Sequence, residues 1–208
     1  MEKYYKLLKK ENLDNSYKYN EISSFVYEEK KSKFICYIFD IASAKEANKK
    51  VDWIRKNYFD AKHVVYLYRV LENHILNIKF SDDGEPQGTG TKMILDMINK
   101  EKISNICIII VRYFGGILLG AGPLARAYLN SFKGAYLDTY KKEIVNYKEL
   151  NIIMDYDKYN SLIKYIDDMI QKENIVILNK EFNDKVLLNL KICDDLYDEI
   201  KKKLEECI

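Results

Sequence analysis

The chain has 208 residues, of which 48% are hydrophobic, and a formal net charge of +2 at neutral pH. This length suffices for one large or two small domains, and the near-neutral charge gives no whole-protein field that would attract a nucleic acid. No run of 18 apolar residues is present, which excludes a typical transmembrane helix. The charged N-terminus lacks the apolar segment of a signal peptide, so we expect a cytoplasmic protein without membrane association.

Charge distribution and cysteine spacing further limit the classes of protein to which the chain can belong. Residues 1–140 carry 22 basic and 17 acidic side chains, a net charge of +5, whereas residues 141–208 carry a net charge of −3. Any polyanion contact is therefore expected in the N-terminal part. The four cysteines form no CxxC pair and lie mostly among apolar neighbours. A reduced protein fits this spacing better than a disulfide or zinc scaffold, and we expect neither a metal nor a cofactor.

The first 16 residues are polar, and we interpret them as a lead-in to the first domain. Apolar alternation, turn residues and helical periodicity predict the elements that follow. In chain order these are strands at 17–28 and 33–39, a helix from Ser43, strands at 63–71 and 75–80 around a turn at 72–74, a loop at 81–90, a helix at 91–100, a strand at 103–111 and a helix from Pro123 to Asp138. The strand at 103–111 is almost entirely β-branched, which is typical of a strand covered on both faces.

A polar stretch at 141–146 is the predicted boundary between two domains, 17–140 and 147–208. The second domain is predicted as a strand at 147–154, a helix at 157–172, strands at 175–182 and 186–192, and a helix at 195–207. The helix at 157–172 has the clearest apolar periodicity in the chain. Strand, helix, two strands and helix make up most of a ferredoxin-like unit.

Glycine and arginine are concentrated in one segment. Seven of the eight glycines lie between Gly84 and Gly122, and two of the four arginines, Arg112 and Arg126, lie at 81–126 in a chain that uses lysine almost everywhere else. Arginine offers a planar fork of donors that lysine cannot reproduce, and glycine permits positive φ and close backbone approach. The segment is therefore either a pair of tight turns held by structural ion pairs or a binding site.

The two arginines are candidates for anion binding. Arg112 follows the buried strand and Arg126 lies in the first turn of the next predicted helix, where free backbone N–H groups and the helix dipole favour an anion. A nucleic-acid phosphate is the plainest ligand, and Tyr113 or Tyr128 could stack on an unpaired base. Alternatively, either arginine pairs with a carboxylate of the loop at 81–90 and holds the two loops together.

The carboxylates of that loop, Asp82, Asp83 and Glu85, allow several interpretations. Turn chemistry or ion pairing explains them most simply, whereas a hard cation or an acid/base pair are the functional alternatives. His63 begins a strand, where a lone histidine is more often structural. The glycine spacing matches neither a P-loop nor a dinucleotide-binding loop.

Two segments resemble the signature of the YigZ/IMPACT family. They are residues 82–89 (DDGEPQGT) and residues 112–128 (RYFGGILLGAGPLARAY). Lys92 also occupies the family's lysine position, and Gly115 and Gly116 belong to the second segment. The resemblance implies an α+β chain with a ribosomal-protein-S5-domain-2-like first domain and a small ferredoxin-like βαββα(β) second domain. The sequence does not determine whether the last strand of this second domain is present. It also implies kinship with a eukaryotic regulator of translational control.

Three functions remain open at this point. The first is a non-enzymatic binding protein that engages RNA or a translation component through a Gly/Arg-rich loop surface, comprising Arg112, Tyr113, Gly115, Gly116, Arg126 and Lys92. The second is an enzyme acting on a phosphorylated or nucleotide-like small molecule through the carboxylates of the loop at 81–90. The third is a protein-interaction module that binds no nucleic acid. We expect the first, and no oligomeric state follows from the sequence.

Overall fold

The computed structural model describes residues 3–10, 21–72 and 75–207. Residues 17–20 of the first predicted strand, residues 11–16 of the predicted lead-in and the turn residues 73–74 lie outside the described residues. The chain forms two compact units, Met1–Ile144 and Val145–Ile208. They are termed the N-terminal unit and the C-terminal unit.

The N-terminal unit is built on a five-stranded antiparallel sheet. Its elements in chain order are β1 (Tyr5–Lys9), β2 (Glu21–Glu29), β3 (Ser32–Asp40), α1 (Ala44–Asn57), β4 (His63–Glu72), β5 (Ile75–Ser81), α2 (Lys92–Lys100), β6 (Ile106–Tyr113), α3 (Ala121–Leu137) and β7 (Thr139–Glu143). The strand order is β2-β3-β6-β4-β5, with every pair antiparallel. Helix α1 packs on one face of this sheet, and α2 and α3 pack on the other.

Strand β6 lies at the centre of the sheet and is buried along nearly its whole length. Ile108 and Ile110 face the core formed with α2 and α3, whereas Ile109 and Val111 face the core formed with α1. This burial confirms the prediction of a strand covered on both faces. Packing on both faces therefore fixes the position of β6. Its last two residues, Arg112 and Tyr113, lie at the end of the sheet where the second half of the glycine-rich segment begins.

A two-stranded ribbon is the main difference from the predicted elements. Strand β1 pairs antiparallel with β7, so part of the predicted lead-in and part of the predicted boundary form β-structure. Leu7 is the one side chain of β1 that is fully buried, and Thr139 is buried in β7. With so few inward-facing residues, neither segment shows the alternation by which a strand is recognised.

Local sequence signals explain two other features. The Ser43 hydroxyl accepts a hydrogen bond from the Glu46 N–H at 3.1 Å, so Ser43 caps α1, in agreement with the helix predicted from Ser43. Helix α3 begins at Ala121, after Gly120 at φ +82°, and not at the predicted Pro123. Pro123 is its third residue, a position where a missing N–H costs no helical hydrogen bond. Arg126 is therefore the sixth residue of the helix. It was predicted in the first turn but lies beyond it.

The C-terminal unit has its own core and a single sheet. Its elements are β8 (Tyr147–Met154), α4 (Tyr156–Gln171), β9 (Ile175–Phe182), β10 (Val186–Cys193) and α5 (Asp194–Cys207), with strand order β8-β10-β9. Ile166 of α4 and Ile200 of α5 are fully buried against Leu188 and Leu190 of the central strand. This arrangement and the N-terminal sheet confirm the predicted fold class. In the part of the chain that the structure describes, no helix is long and apolar enough to cross a membrane.

Candidate functional site

The loop between β5 and α2, residues 81–90, is termed the acidic loop, and it is held together by its own carboxylates. Asp82 accepts hydrogen bonds from the N–H groups of Gly88 at 2.6 Å and Gly90 at 3.1 Å, and from the Thr91 hydroxyl at 2.9 Å. A Cβ at Gly90 would lie 2.7 Å from the side chain of Val65, so only glycine fits against β4. Asp82 is thus occupied in closing the loop.

Asp83 fastens the acidic loop to the start of β4. Its carboxylate accepts hydrogen bonds from the Val64 N–H at 2.7 Å and from the Arg55 guanidinium of α1 at 2.8 Å. The Asp83 carbonyl lies 2.7 Å from Nδ1 of His63, and Gly84, at φ +82°, packs against the same ring. The backbone contact fixes the orientation of His63 and turns its Nε2 toward the third carboxylate of the loop.

That third carboxylate, Glu85, lies at the centre of a buried polar cluster. Its side chain is only 4% exposed and accepts hydrogen bonds from Arg112 at 2.5 Å and from the Tyr128 hydroxyl at 2.7 Å. Nε2 of His63 lies 3.8 Å from the other carboxylate oxygen. Burial and the adjacent Glu85 carboxylate raise the pKa of Tyr128, so its hydroxyl remains a donor. This cluster joins the acidic loop, β4, β6 and α3.

Arg112 is enclosed as well as paired. Its side chain is 6% exposed, and its guanidinium lies 5.4 Å and 5.7 Å from the ring centroids of Phe34 and Phe114. An arginine between two aromatic faces, with a carboxylate at its tip, is held by cation–π attraction and a charge-assisted hydrogen bond. Of the two arginines singled out in the sequence, Arg112 is therefore the one that holds the loops together.

Arg126 has the opposite environment. It is exposed on α3 and forms no hydrogen bond or ion pair with any described residue. Its guanidinium lies over Gly122, close to the start of the helix. Lys92, at the start of α2, is likewise exposed and unpaired within the described ranges, and its side chain passes beside Gly88. The structure thus separates the two arginines into one internal and one external group.

The loop from Phe114 to Gly120, termed the glycine loop, rests on the β2–β3 turn. The Gly115 N–H donates to the Ser32 hydroxyl at 3.1 Å, and a Cβ at Gly115 would lie 2.1 Å from the carbonyl carbon of Lys31. Gly116 has φ +84°, which favours glycine. The close approach at Gly115 brings the glycine loop against the lysine-rich turn.

The aromatic candidates differ in accessibility. Tyr113 is partly exposed, and its hydroxyl donates to Asp60 at 2.8 Å, with burial and this carboxylate raising its pKa to about 12. Tyr128 is fully buried and cannot stack on a base, contrary to its prediction as a stacking residue. Phe114, which the sequence interpretation passed over, has a ring nearly half exposed beside the Arg112 guanidinium.

Strand pairing adds three lysines to this end of the sheet. Lys33 lies opposite Tyr113 in the β3–β6 ladder, and the Lys62 N–H donates to the Arg112 carbonyl at 3.0 Å. Lys31 contacts Gly115 through its backbone. All three side chains are exposed, and none forms an ion pair with a described residue. Their convergence depends on strand register, which the sequence does not display, so the sequence interpretation missed it.

Metal-ligating side chains and thiols are the other groups that could carry chemistry. Within them, no group of three His, Cys, Asp or Glu side chains is placed to hold a metal ion. Cys36 and Cys107 are buried in the two cores, and burial raises the pKa of both thiols. A thiol with a raised pKa is a poor nucleophile at neutral pH. What the arrangement offers is a set of exposed cations and one aromatic face.

Comparisons with known proteins support the family resemblance that the two sequence motifs indicate. The profile of the Impact N-terminal domain family matches residues 30–136. An IMPACT family member of Haemophilus influenzae is 31% identical over 188 residues, covering 88% of this chain and 89% of the relative. The IMPACT family member YvyE of Bacillus subtilis is 40% identical over 98 residues, so this match spans about half of each chain, 47% and 45%.

A solved structure extends the likeness to both units. The crystal structure of a hypothetical protein is 25% identical and superimposes with a TM-score of 0.62. The superposition covers 99% of this chain and 93% of the other. The resemblance therefore includes the C-terminal unit, which lies outside the match to the domain profile.

Proposed function

Because the chain belongs to the YigZ/IMPACT family, we propose that it is a non-enzymatic, translation-associated protein that binds RNA. The surface proposed for binding is formed by the glycine loop and by the exposed cations Lys31, Lys33, Lys62, Lys92 and Arg126, and is termed the loop surface. The motifs that identify the family lie in and beside this surface, and the family's link to translational control supports the choice of partner. The cytoplasm is the compartment that such a role requires.

One observation carries the proposal: five cations are exposed at one end of the sheet, while the three carboxylates of the acidic loop are bound to other groups of the N-terminal unit. Asp82 and Glu85 accept only internal hydrogen bonds, and Asp83 is bound to Arg55 and β4. The acidic loop therefore does little to cancel the field of these cations, and Glu28, which lies opposite Lys33 in the β2–β3 ladder, offsets only part of it. A surface with an excess of exposed cations favours phosphate contacts, which supply most of the affinity in non-specific nucleic-acid binding.

The proposed roles differ from those expected at first for the arginines. Arg126 and Lys92 contact phosphates, whereas Arg112 supports the surface from within through Glu85. Phe114 offers the stacking face, because its ring is partly exposed and flanked by a guanidinium. Gly115 and Gly116 shape the loop that carries this ring. An unpaired strand suits such a site better than a duplex, since stacked bases in a helix present no free face to Phe114.

The test is a fluorescence-anisotropy titration of a single-stranded RNA oligonucleotide over several salt concentrations. Each lost phosphate contact should reduce the slope of log K against log salt by about 0.7. Arg126→Ala and Lys92→Ala should each show this reduction, and Arg126→Lys should recover part of the affinity because the charge survives without the planar fork. Lys133→Ala, an exposed position near the far end of α3, is the matched control. Unchanged binding by Arg126→Ala, or no binding by the parent, contradicts the proposal.

A protein partner is a second candidate, favoured by the apolar tip of the glycine loop. Leu118 is 84% exposed and Ile117 is 44% exposed, although a polyanion needs neither side chain. Neighbouring exposed apolar side chains are typical of protein-interaction sites. Leu118→Ser should abolish salt-resistant sedimentation with ribosomes if a protein is bound, and should leave RNA anisotropy unchanged. Salt-sensitive sedimentation that survives Leu118→Ser favours RNA.

A further inference from the structure

An open pocket lies along α1, on the face of the sheet opposite α2 and α3. It has a volume of about 560 Å³ and is lined by Ser43, Lys45, Glu46, Lys49, Lys50 and Trp53. Pockets of roughly 300–1,000 Å³ accommodate small-molecule ligands. None of the lining residues belongs to the loop surface, and none contributes to the Glu85 cluster.

The charges of this pocket favour an anion. Lys45 and Lys49 are exposed and form no ion pair or hydrogen bond with a described residue. Lys50 is only 9% exposed, and its ammonium lies 5.5 Å from the centroid of Phe39. Glu46 is the one carboxylate in the lining, and it accepts a hydrogen bond from the Ala42 N–H at 2.9 Å. Two exposed ammonium groups, those of Lys45 and Lys49, therefore face one carboxylate that is already engaged, while the Lys50 ammonium lies over the buried Phe39 ring.

An aromatic ring adjoins these charges. Trp53 is the single tryptophan of the chain, and it is 36% exposed although the inward face of α1 buries Val51 and Ile54. Lys45, Lys49 and Trp53 are spaced four residues apart, so they share one face of the helix over about 12 Å. A flat apolar ring followed by two cations along one line matches a ligand with a planar base at one end and a phosphate at the other.

We propose that the α1 pocket binds a nucleoside phosphate, with the base stacked on Trp53 and the phosphate held by Lys45 and Lys49. The Ser43 hydroxyl accepts from the Glu46 N–H, which leaves its own proton available to a phosphate oxygen. A free nucleotide and one unit of single-stranded RNA present the same chemistry to this pocket. The site is separate from the loop surface and does not depend on the function proposed for it.

The position of Trp53 makes the proposal directly measurable. Selective excitation of tryptophan reports only on this pocket, because the chain has no second tryptophan. The probes are ADP and a single-stranded oligoadenylate, and each that binds should quench Trp53 to a saturable limit. The double variant Lys45→Gln/Lys49→Gln should weaken binding at least tenfold. Lys56→Gln, an exposed position of α1 outside the pocket lining, is the matched control and should bind as the parent does.

Calorimetry replaces fluorescence for changes at Trp53 itself. Trp53→Ala should weaken binding by roughly 5- to 150-fold, since stacking of one base on an aromatic ring is worth about 1–3 kcal/mol. Trp53→Phe keeps a stacking face and should stay within a few-fold of the parent. Because the ring is partly exposed, both variants should remain folded, which circular dichroism checks.

The two probes separate the possible sources of the ligand. Saturable quenching by ADP supports a free nucleotide as occupant, and quenching by the oligoadenylate alone supports RNA. The proposal is overturned if neither probe quenches Trp53, or if Lys56→Gln weakens binding as much as the double variant does. Quenching by ADP reports on this pocket alone, so a loss of oligonucleotide binding at the loop surface and a loss of ADP binding at this pocket are distinguishable.

Discussion

Removing the Glu85 carboxylate should destabilise the N-terminal unit more than any exposed charge substitution. Glu85→Ala leaves the Arg112 guanidinium, 6% exposed, without its counter-ion and the buried Tyr128 hydroxyl without its acceptor. Deleting one partner of a buried ion pair costs about 3–5 kcal/mol, because the remaining charge stays desolvated. The lost hydroxyl contact lies in the same cluster, so its cost is included in this range and not added to it.

Urea denaturation followed by Trp53 fluorescence measures this cost, since the single tryptophan lies in α1 of the N-terminal unit. Arg55→Ala on α1 is the matched control, because it removes a partly exposed ion pair with Asp83 of the acidic loop and should cost no more than about 1 kcal/mol. Glu85→Gln should fall between the two, as it retains an acceptor oxygen without the charge. If Glu85→Ala costs as little as Arg55→Ala, the buried cluster does not hold the loop.

Four further outcomes follow from the same structure. Tyr128→Phe should cost about 1.5–3 kcal/mol in urea denaturation, the value of a hydrogen bond to a charged group; a neutral result would contradict that bond. Gly115→Ala should abolish soluble folded protein because its Cβ would overlap Lys31, whereas Gly116→Ala, in open space at φ +84°, should cost about 1–2 kcal/mol. Calorimetric titration of the acidic loop with Mg²⁺ or Mn²⁺ should detect no binding tighter than millimolar, and micromolar binding would revive the enzyme hypothesis. Limited proteolysis should cut first between the two units, and initial cleavage in the glycine loop would refute that division.

Elements with strong local signals could be predicted from the sequence. The β-branched run of β6 and the apolar stripe of α4 each identify an element without reference to the rest of the chain. The strands predicted at 17–28 and 33–39 leave a short connection between them, and it forms the β2–β3 turn, where Lys30 and Lys31 adopt positive φ. The ribbon of β1 and β7 could not be predicted, because its stability depends on Leu7 docking into a core formed by residues far away in sequence.

The sequence predicts several of the residues that form the candidate site, but not which of them contact one another. The sequence identified the carboxylates and the arginines, and it left open which of them pair. Glu85 meets Arg112 across 27 residues and Tyr128 across 43, so the pairing is set by how β5, β6 and α3 assemble. The exposure of Phe114 and the burial of Tyr128 are likewise tertiary properties, and no local pattern distinguishes these two aromatic residues.

The different environments of the two arginines decide which experiment can test the function. A variant of Arg112 removes half of a buried ion pair, so weaker RNA binding by that variant would report a damaged loop as readily as a lost contact. Arg126 is exposed and has no partner among the described residues, so its removal changes charge without disturbing a core. Arg126→Lys is more informative still, because it preserves the charge and alters only the donor geometry. If Arg126→Ala reduces the salt slope and Arg126→Lys restores the slope but only part of the affinity, the guanidinium binds phosphate through two donors. If Arg126→Lys binds RNA as tightly as the parent while Arg126→Ala binds more weakly, the surface recognises no more than net charge.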